Sequence, residues 1–315
     1  MPIKIYLKMF DSVIKPILLY CCEIWSNEGI TSLNLTNLNM PMDSFHNKFC
    51  KYLLKVNCKA SNMACLLELG RYPLRVSSTI QMIKYWLKVA QRPQDTLINE
   101  ALKLGKILDS KGIKNWVSGV KLTLNTLNMS NTWNSDTLNN NTTINSVKTN
   151  INKLFQNQCK EYLYDDNKGK NHKNKLRTYR QFKEDFGLEK YLNIVKNPLH
   201  RAALTKLRIS APTLKIEAGR YIGQKLEDRK CLYCKDNQIE DECHFMLNCN
   251  LYNKLRREFC QVFETTTTNK TDTGNLISIM KTNDKQILMD LSKYIFKCFT
   301  LRSDSTCLKT NLPAA

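Results

Sequence analysis

Apolar residues recur every three or four positions in several stretches of the chain, the spacing of a helix that buries one face. Phe45, Phe49, Tyr52, Leu53 and Val56 follow this spacing after Asp43-Ser44, a pair suited to an N-cap. Ile80, Ile83, Trp86, Leu87 and Ala90 do the same before "RPQD" breaks the pattern at Pro93. Between these two, "SNMACLLELG" predicts a short helix capped by Ser61 and closed by Gly70. Two further patterns, Leu97–Leu104 and Trp116–Leu127, complete an all-helical bundle over residues 1–127. Residues 128–145, "NMSNTWNSDTLNNNTTIN", hold seven asparagines and little apolar periodicity. Asparagine competes for backbone hydrogen bonds, so 128–150 reads as a linker. Helical pattern returns from Ile151. A second break at 265–275, "TTTTNKTDTGN", precedes a closing helix marked by Ile287, Leu288, Leu291, Ile295 and Cys298. The predicted fold is mainly α.

Composition supports this and adds a partner. Ten glycines and eight prolines in 315 residues disfavour a many-turned β-sandwich. The formal charge is +20, with 17 basic against 8 acidic residues over 1–127 and 31 against 20 over 128–315. An excess spread along the whole chain fits a polyanion, most often nucleic acid, although a lysine-rich solvated surface has the same composition. The opening "MPIKIYLKMFDSVIKPILLYCCEIW" is apolar but interrupted by Lys4, Lys8, Asp11, Lys15 and Pro16. No secretory h-region or membrane span is expected there, and an intracellular location follows, cytoplasmic or nuclear. Thirteen cysteines, an odd number, are then expected to be reduced, and reduced thiols at short spacing are metal ligands before they are disulfides.

The candidate chemistry lies in "CLYCKDNQIEDECHFMLNC", residues 231–249. Its spacing is Cys231-x2-Cys234-x9-His244-x4-Cys249. Two cysteines three apart present both thiolates to one ion, and His244 with Cys249 closes a tetrahedron around Zn²⁺. Three thiolates and an imidazole leave no open position, so the site is structural. Cys243 is a rival to His244 as fourth ligand. Within the loop Asp236, Glu240, Asp241 and Glu242 face a single Lys235, whereas Arg229, Lys230, Lys254, Arg256 and Arg257 flank it. The expectation is basic flanks on nucleic acid and an acidic tip turned away, or toward a protein partner.

A second candidate surface is 168–183, "KGKNHKNKLRTYRQFK", with seven basic and no acidic residues. Here Arg177, Arg180 and Lys183 would track phosphates while Tyr179 and Phe182 stack on unpaired bases; the alternative is a solvated helix face preceded by a floppy lysine run. His172 and His46 have no ligand-like neighbours and read as surface and helix-face residues. Tyr164-Asp165-Asp166 matches the metal-binding tripeptide of a polymerase, but no apolar strand follows it, so it reads as the polar end of a helix. No GxxxxGK[ST], GxSxG or HExxH occurs, and no active site is visible.

The ordered series "KPILLYCCEIW" (15–25), "FHNKFCKYLL" (45–54), "ELGRYPL" (68–74), "IQMIKYWLKV" (80–89), "YRQFKEDFGLEKYL" (179–192), "LRISAPTLKIEAGRY" (207–221), "RKCLYC" and "IEDECHFMLNCNLYNKLR" resembles the carboxy-terminal region of LINE-type non-LTR retrotransposon reverse transcriptases. That resemblance covers most of residues 5–257. It implies a thumb that grips primer–template duplex over 1–127, a linker over 128–150 and a basic helical segment over 151–227. A CCHC zinc module over 228–260 and a linker with closing helix over 261–315 follow. Cys231, Cys234, His244 and Cys249 would be the family's metal ligands. The family's fingers and palm, with the polymerising aspartates, would precede Met1 and be a partner of this region, which would not polymerise alone. Cys22 and Cys243 depart from the family's usual glycine and aromatic. The expected function is binding of template RNA or target DNA; the alternatives are a zinc-braced protein-interaction module or a non-functional transposon remnant.

Overall fold

The computed structural model describes residues 2–26, 32–133, 139–166, 174–211, 214–264 and 271–310. The fold is mainly α, as expected; among the described residues the only β-type pairings are two isolated bridges, Leu69 with Leu188 and Lys230 with Ile239. No helix among them is long and apolar enough to cross a membrane. Two compact units emerge, one of residues 1–6, 48–71 and 163–315, the other of 7–47 and 72–162. These units cut across the bundle expected over 1–127, because the segment around Asn62–Glu68 packs with the second half of the chain.

In the unit of 7–47 and 72–162, the helix Leu74–Ala90 runs through the core on Met82, Ile83, Trp86, Leu87 and Val89. It ends before Pro93, as the pattern predicts. Thr96 caps Leu97–Ser110, and Asn115 and Ser118 form a capping box for Trp116–Thr126. These two helices approach closely at Gly105, where a Cβ would stand 2.6 Å from Val117 Cγ2. The helix Pro41–Leu54 starts earlier than predicted, because proline suits the first helical position and shifts the start ahead of Asp43. Asp43 is therefore not an N-cap. Its buried Oδ1 accepts the Leu74 amide at 2.6 Å, and burial pushes its carboxyl up to about 6. His46 is buried and stacks on Phe10 at 4.9 Å, whereas Phe45 and Tyr52 face solvent.

The asparagine-rich linker is corrected in its second half. A helix spans Asn140–Tyr164, and Val147, Ile151, Phe155, Cys159 and Leu163 bury one stripe of it at four-residue spacing. Apolar periodicity outweighs the weak helix propensity of asparagine. A short helix Ser130–Trp133 precedes it, and residues 134–138 lie outside the described residues. The second break is also partly helical: Thr271 caps Asp272–Lys281, while 265–270 are not described. Tyr164 ends its helix and Asp165 and Asp166 follow in a turn, as read from the sequence.

The other unit is organised around a buried charge cluster. The short helix Asn62–Glu68, capped by Ser61, ends at Gly70 with a φ of +60°. A Cβ at Gly70 would meet the Leu188 backbone nitrogen at 2.5 Å, so only glycine allows the Leu69–Leu188 bridge to form. Glu68 receives Arg208 Nε at 3.1 Å and the Tyr191 hydroxyl at 2.5 Å. Arg208 also reaches Glu189 at 2.9 Å and the Met280 carbonyl at 2.7 Å. The closing helix is present as Lys285–Thr310, with Leu288, Leu291, Ile295 and Cys298 buried.

Candidate metal centre

Local chain geometry makes the Cys/His cluster. Arg229–Glu240 forms a small hairpin: the Cys231 amide donates to the Gln238 carbonyl at 2.9 Å and the Glu240 amide to the Arg229 carbonyl at 3.0 Å. Asn237 turns it with a φ of +55°, a conformation asparagine tolerates. Asp241 then caps the following helical turn, its Oδ1 accepting the His244 amide at 2.8 Å. A wide π-turn, His244–Asn248, carries the chain to Cys249, whose amide returns to the His244 carbonyl at 2.8 Å.

This path brings one donor atom each from Cys231, Cys234, His244 and Cys249 within 4.8 Å of one another, a cluster that could hold a metal ion. Cys231 Sγ and Cys249 Sγ stand 3.9 Å apart, and Cys234 Sγ lies 3.4 Å from His244 Nε2. His244 Nδ1 faces Gln238 Oε1 at 3.2 Å, which orients the ring with Nε2 toward the sulfurs. The Tyr233 amide donates to Cys231 Sγ at 3.4 Å. A hydrogen bond from Cys249, offset by burial, holds the Cys231 thiol well below its ordinary range. His244 is raised, first by its hydrogen bond to Cys231. Cys243 lies outside the cluster. Among the described residues His244, not its neighbour, completes the set.

The surroundings correct the charge reading. Of the expected acidic tip, Glu240 and Glu242 are 1% and 3% exposed and serve as internal anchors. Glu240 pairs with Arg302 of the closing helix and accepts the Lys215 amide at 2.8 Å. Glu242 accepts Arg177 at 2.9 Å and Thr178 at 3.2 Å. Phe245 stacks on Phe299 at 5.1 Å, and the Tyr294 hydroxyl donates to the Met246 carbonyl at 3.1 Å. The cluster is thus fastened to the closing helix by an ion pair, a ring stack and a hydrogen bond. A protein-docking acidic tip loses two of its four carboxylates, because each is committed to an internal ion pair.

Several expected nucleic-acid contacts are also committed internally. Arg177 bridges Glu217 at 2.8 Å and Glu242 at 2.9 Å, and these carboxylates raise its pKa against the opposing cost of burial. Tyr179 is fully buried and stacks edge-on with Phe182, leaving no ring face for a base. Lys183 is buried and holds Glu189 and the Gly187 carbonyl. Arg229 is 5% exposed and donates to the Ile216 carbonyl at 2.9 Å and the Gln224 carbonyl at 2.7 Å. Arg180 pairs with Asp166 at 2.6 Å. Arg256, half-buried, donates to the Cys249 carbonyl at 2.6 Å and so braces a cluster residue. Only Lys230, Lys254 and Arg257 of the nine are exposed. His172 and the lysines at 168, 170 and 173 lie outside the described residues. The chain matches no protein-family model, no curated protein and no solved structure.

Proposed function

We propose that the cluster binds one structural Zn²⁺ and that the chain is a nucleic-acid-binding region of a LINE-type retrotransposon reverse transcriptase. The observation that carries the metal reading is donor spacing. Tetrahedral zinc with Zn–S near 2.3 Å and Zn–N near 2.0 Å needs sulfurs about 3.8 Å apart and a sulfur-to-nitrogen separation of about 3.5 Å. The separations of 3.9 Å and 3.4 Å lie within a few tenths of these. Four protein donors leave no place for substrate or water, so the ion would fold its module and do no chemistry. Cys231, Cys234, His244 and Cys249 would hold it.

The charge of +20 and the exposed Lys230, Lys254 and Arg257 beside the cluster support a phosphate backbone as partner, RNA or DNA. The family's palm and fingers remain the proposed protein partner. Its docking face would include Met9, Val13, Ile17, Tyr20 and Ile24, all more than half exposed along the opening helices. No polymerase step is assigned to this chain's residues, and its proposed place is inside the cell. Fluorescence anisotropy with labelled RNA and DNA strands across a salt series tests the function. Affinity should fall steeply as salt rises; affinity independent of salt, or no binding at low salt, would sink it.

A further inference from the structure

The sequence pointed to Tyr179 as a base-stacking residue, and the structure buries it; Tyr221 is 56% exposed instead. Three lysines meet at the turn of residues 57–60, and one of them reaches this second tyrosine, in the unit formed by 48–71 and 163–315. Lys59 Nζ lies over the Tyr221 ring, 5.1 Å from its centroid. Lys175 Nζ donates to the Lys59 carbonyl at 3.3 Å, and Lys51 Nζ donates to the Cys58 carbonyl at 2.6 Å. Carbonyls of the turn at residues 57–60 thus hold the Lys51 and Lys175 ammonium groups, while the turn's own Lys59 extends to Tyr221. None of the three is paired with a carboxylate among the described residues, whereas Arg177 and Arg302 beside the metal centre are. The Lys51 pKa is lowered, first by burial, with the like charge of Lys175 adding to it. Ile222, next to Tyr221, is 71% exposed and extends the apolar surface.

Positive charge held together without a counter-ion, beside an aromatic ring left in solvent, suits a partner that carries both phosphates and flat apolar rings. We infer that Tyr221, with Lys51, Lys59 and Lys175, forms a binding site for single-stranded nucleic acid, the ring stacking on one base and the lysines taking the adjoining phosphates. A duplex fits this site less well, because its bases already stack on one another. The inference rests on the nucleic-acid reading above but uses none of the residues that reading uses.

The test measures anisotropy of the metal-containing 315-residue chain with three strands of equal length: RNA, DNA and an abasic sugar-phosphate strand. Tyr221→Ala should weaken binding of the base-bearing strands roughly 5- to 150-fold, since stacking one base is worth on the order of 1–3 kcal/mol. It should leave the abasic strand's affinity unchanged, and Tyr221→Phe should restore the wild-type value. The double variant Lys59→Ala/Lys175→Ala should make the log–log salt dependence on a single strand shallower by about 1.4, two phosphates at about 0.7 each. Equal affinity of Tyr221→Ala and wild type for base-bearing strands, with wild type binding well, overturns this site and leaves the general reading standing. Wild type binding no strand at all overturns both. The RNA and DNA arms report which sugar the site prefers.

Discussion

Arg208 is where the charged interior can be tested most sharply. It is 4% exposed, and it donates to Glu68 at 3.1 and 3.3 Å, to Glu189 at 2.9 Å and to the Met280 carbonyl at 2.7 Å. Its guanidinium also lies over the rings of Phe182 and Tyr191, at 4.7 and 5.1 Å. Replacing it with methionine keeps much of the stem's packing and deletes the charge. Glu68, fully buried, would then face the Tyr191 hydroxyl with no cation in contact. Removing one partner of a buried ion pair costs about 3–5 kcal/mol, a large fraction of the 5–15 kcal/mol that holds a typical domain. With a melting shift of about 2–4 °C per kcal/mol for a domain of this size, Arg208→Met should lower Tm by about 6–20 °C. Urea unfolding followed by circular dichroism gives the free energy directly. The double variant Glu68→Leu/Arg208→Met removes both charges and should lose less than the sum of Arg208→Met and Glu68→Leu, by 1 kcal/mol or more at the order-of-magnitude level. A loss under about 1 kcal/mol for Arg208→Met, or strict additivity in the double variant, would refute the claim that this cluster is an interdependent core.

Other outcomes follow from the same geometry. Asp43 has a folded pKa of about 6 against an ordinary 3.8, so the native state holds its proton more tightly, and stability falls as pH rises from about 4 to 6. Asp43→Asn keeps an acceptor for Leu74 and should flatten that decline in pH-dependent urea titrations; an unchanged slope would contradict the buried charge. Cys243→Ser should leave metal content unaltered while His244→Ala reduces it, as read by elemental analysis; the reverse ranking would make Cys243 the fourth ligand. Lys254→Glu/Arg257→Glu should weaken nucleic-acid binding at low salt with little change in Tm. Glu242→Gln should instead lower Tm through loss of its ion pair with Arg177, and a pure binding effect would argue against that anchoring role.

What the sequence made legible was whatever depends on spacing. Ser61 and Gly70 bracket their helix because a cap and a left-handed stop are local requirements. Likewise Cys231, Cys234, His244 and Cys249 meet because short spacings tolerate few arrangements around one point. Charged residues were read less well. A lysine or arginine in a string carries no sign of whether a carboxylate far along the chain awaits it, and Arg177 finds Glu217 and Glu242 that way. Arg229 is taken by backbone carbonyls instead. Tyr221 escaped notice because its lysines, at 51, 59 and 175, are distant in sequence. The helix hidden in the asparagine-rich stretch had a visible signal: Val147 begins the four-residue stripe that Ile151, Phe155 and Cys159 continue. Composition obscured it.

The most direct measurement is elemental analysis of the purified chain together with its unfolding in strong chelator. One zinc per chain should be found, and its removal should melt the hairpin and release the closing helix held through Glu240, Phe245 and Met246. A chain that carries no stoichiometric metal, and whose melting curve chelator leaves untouched, would contradict the account.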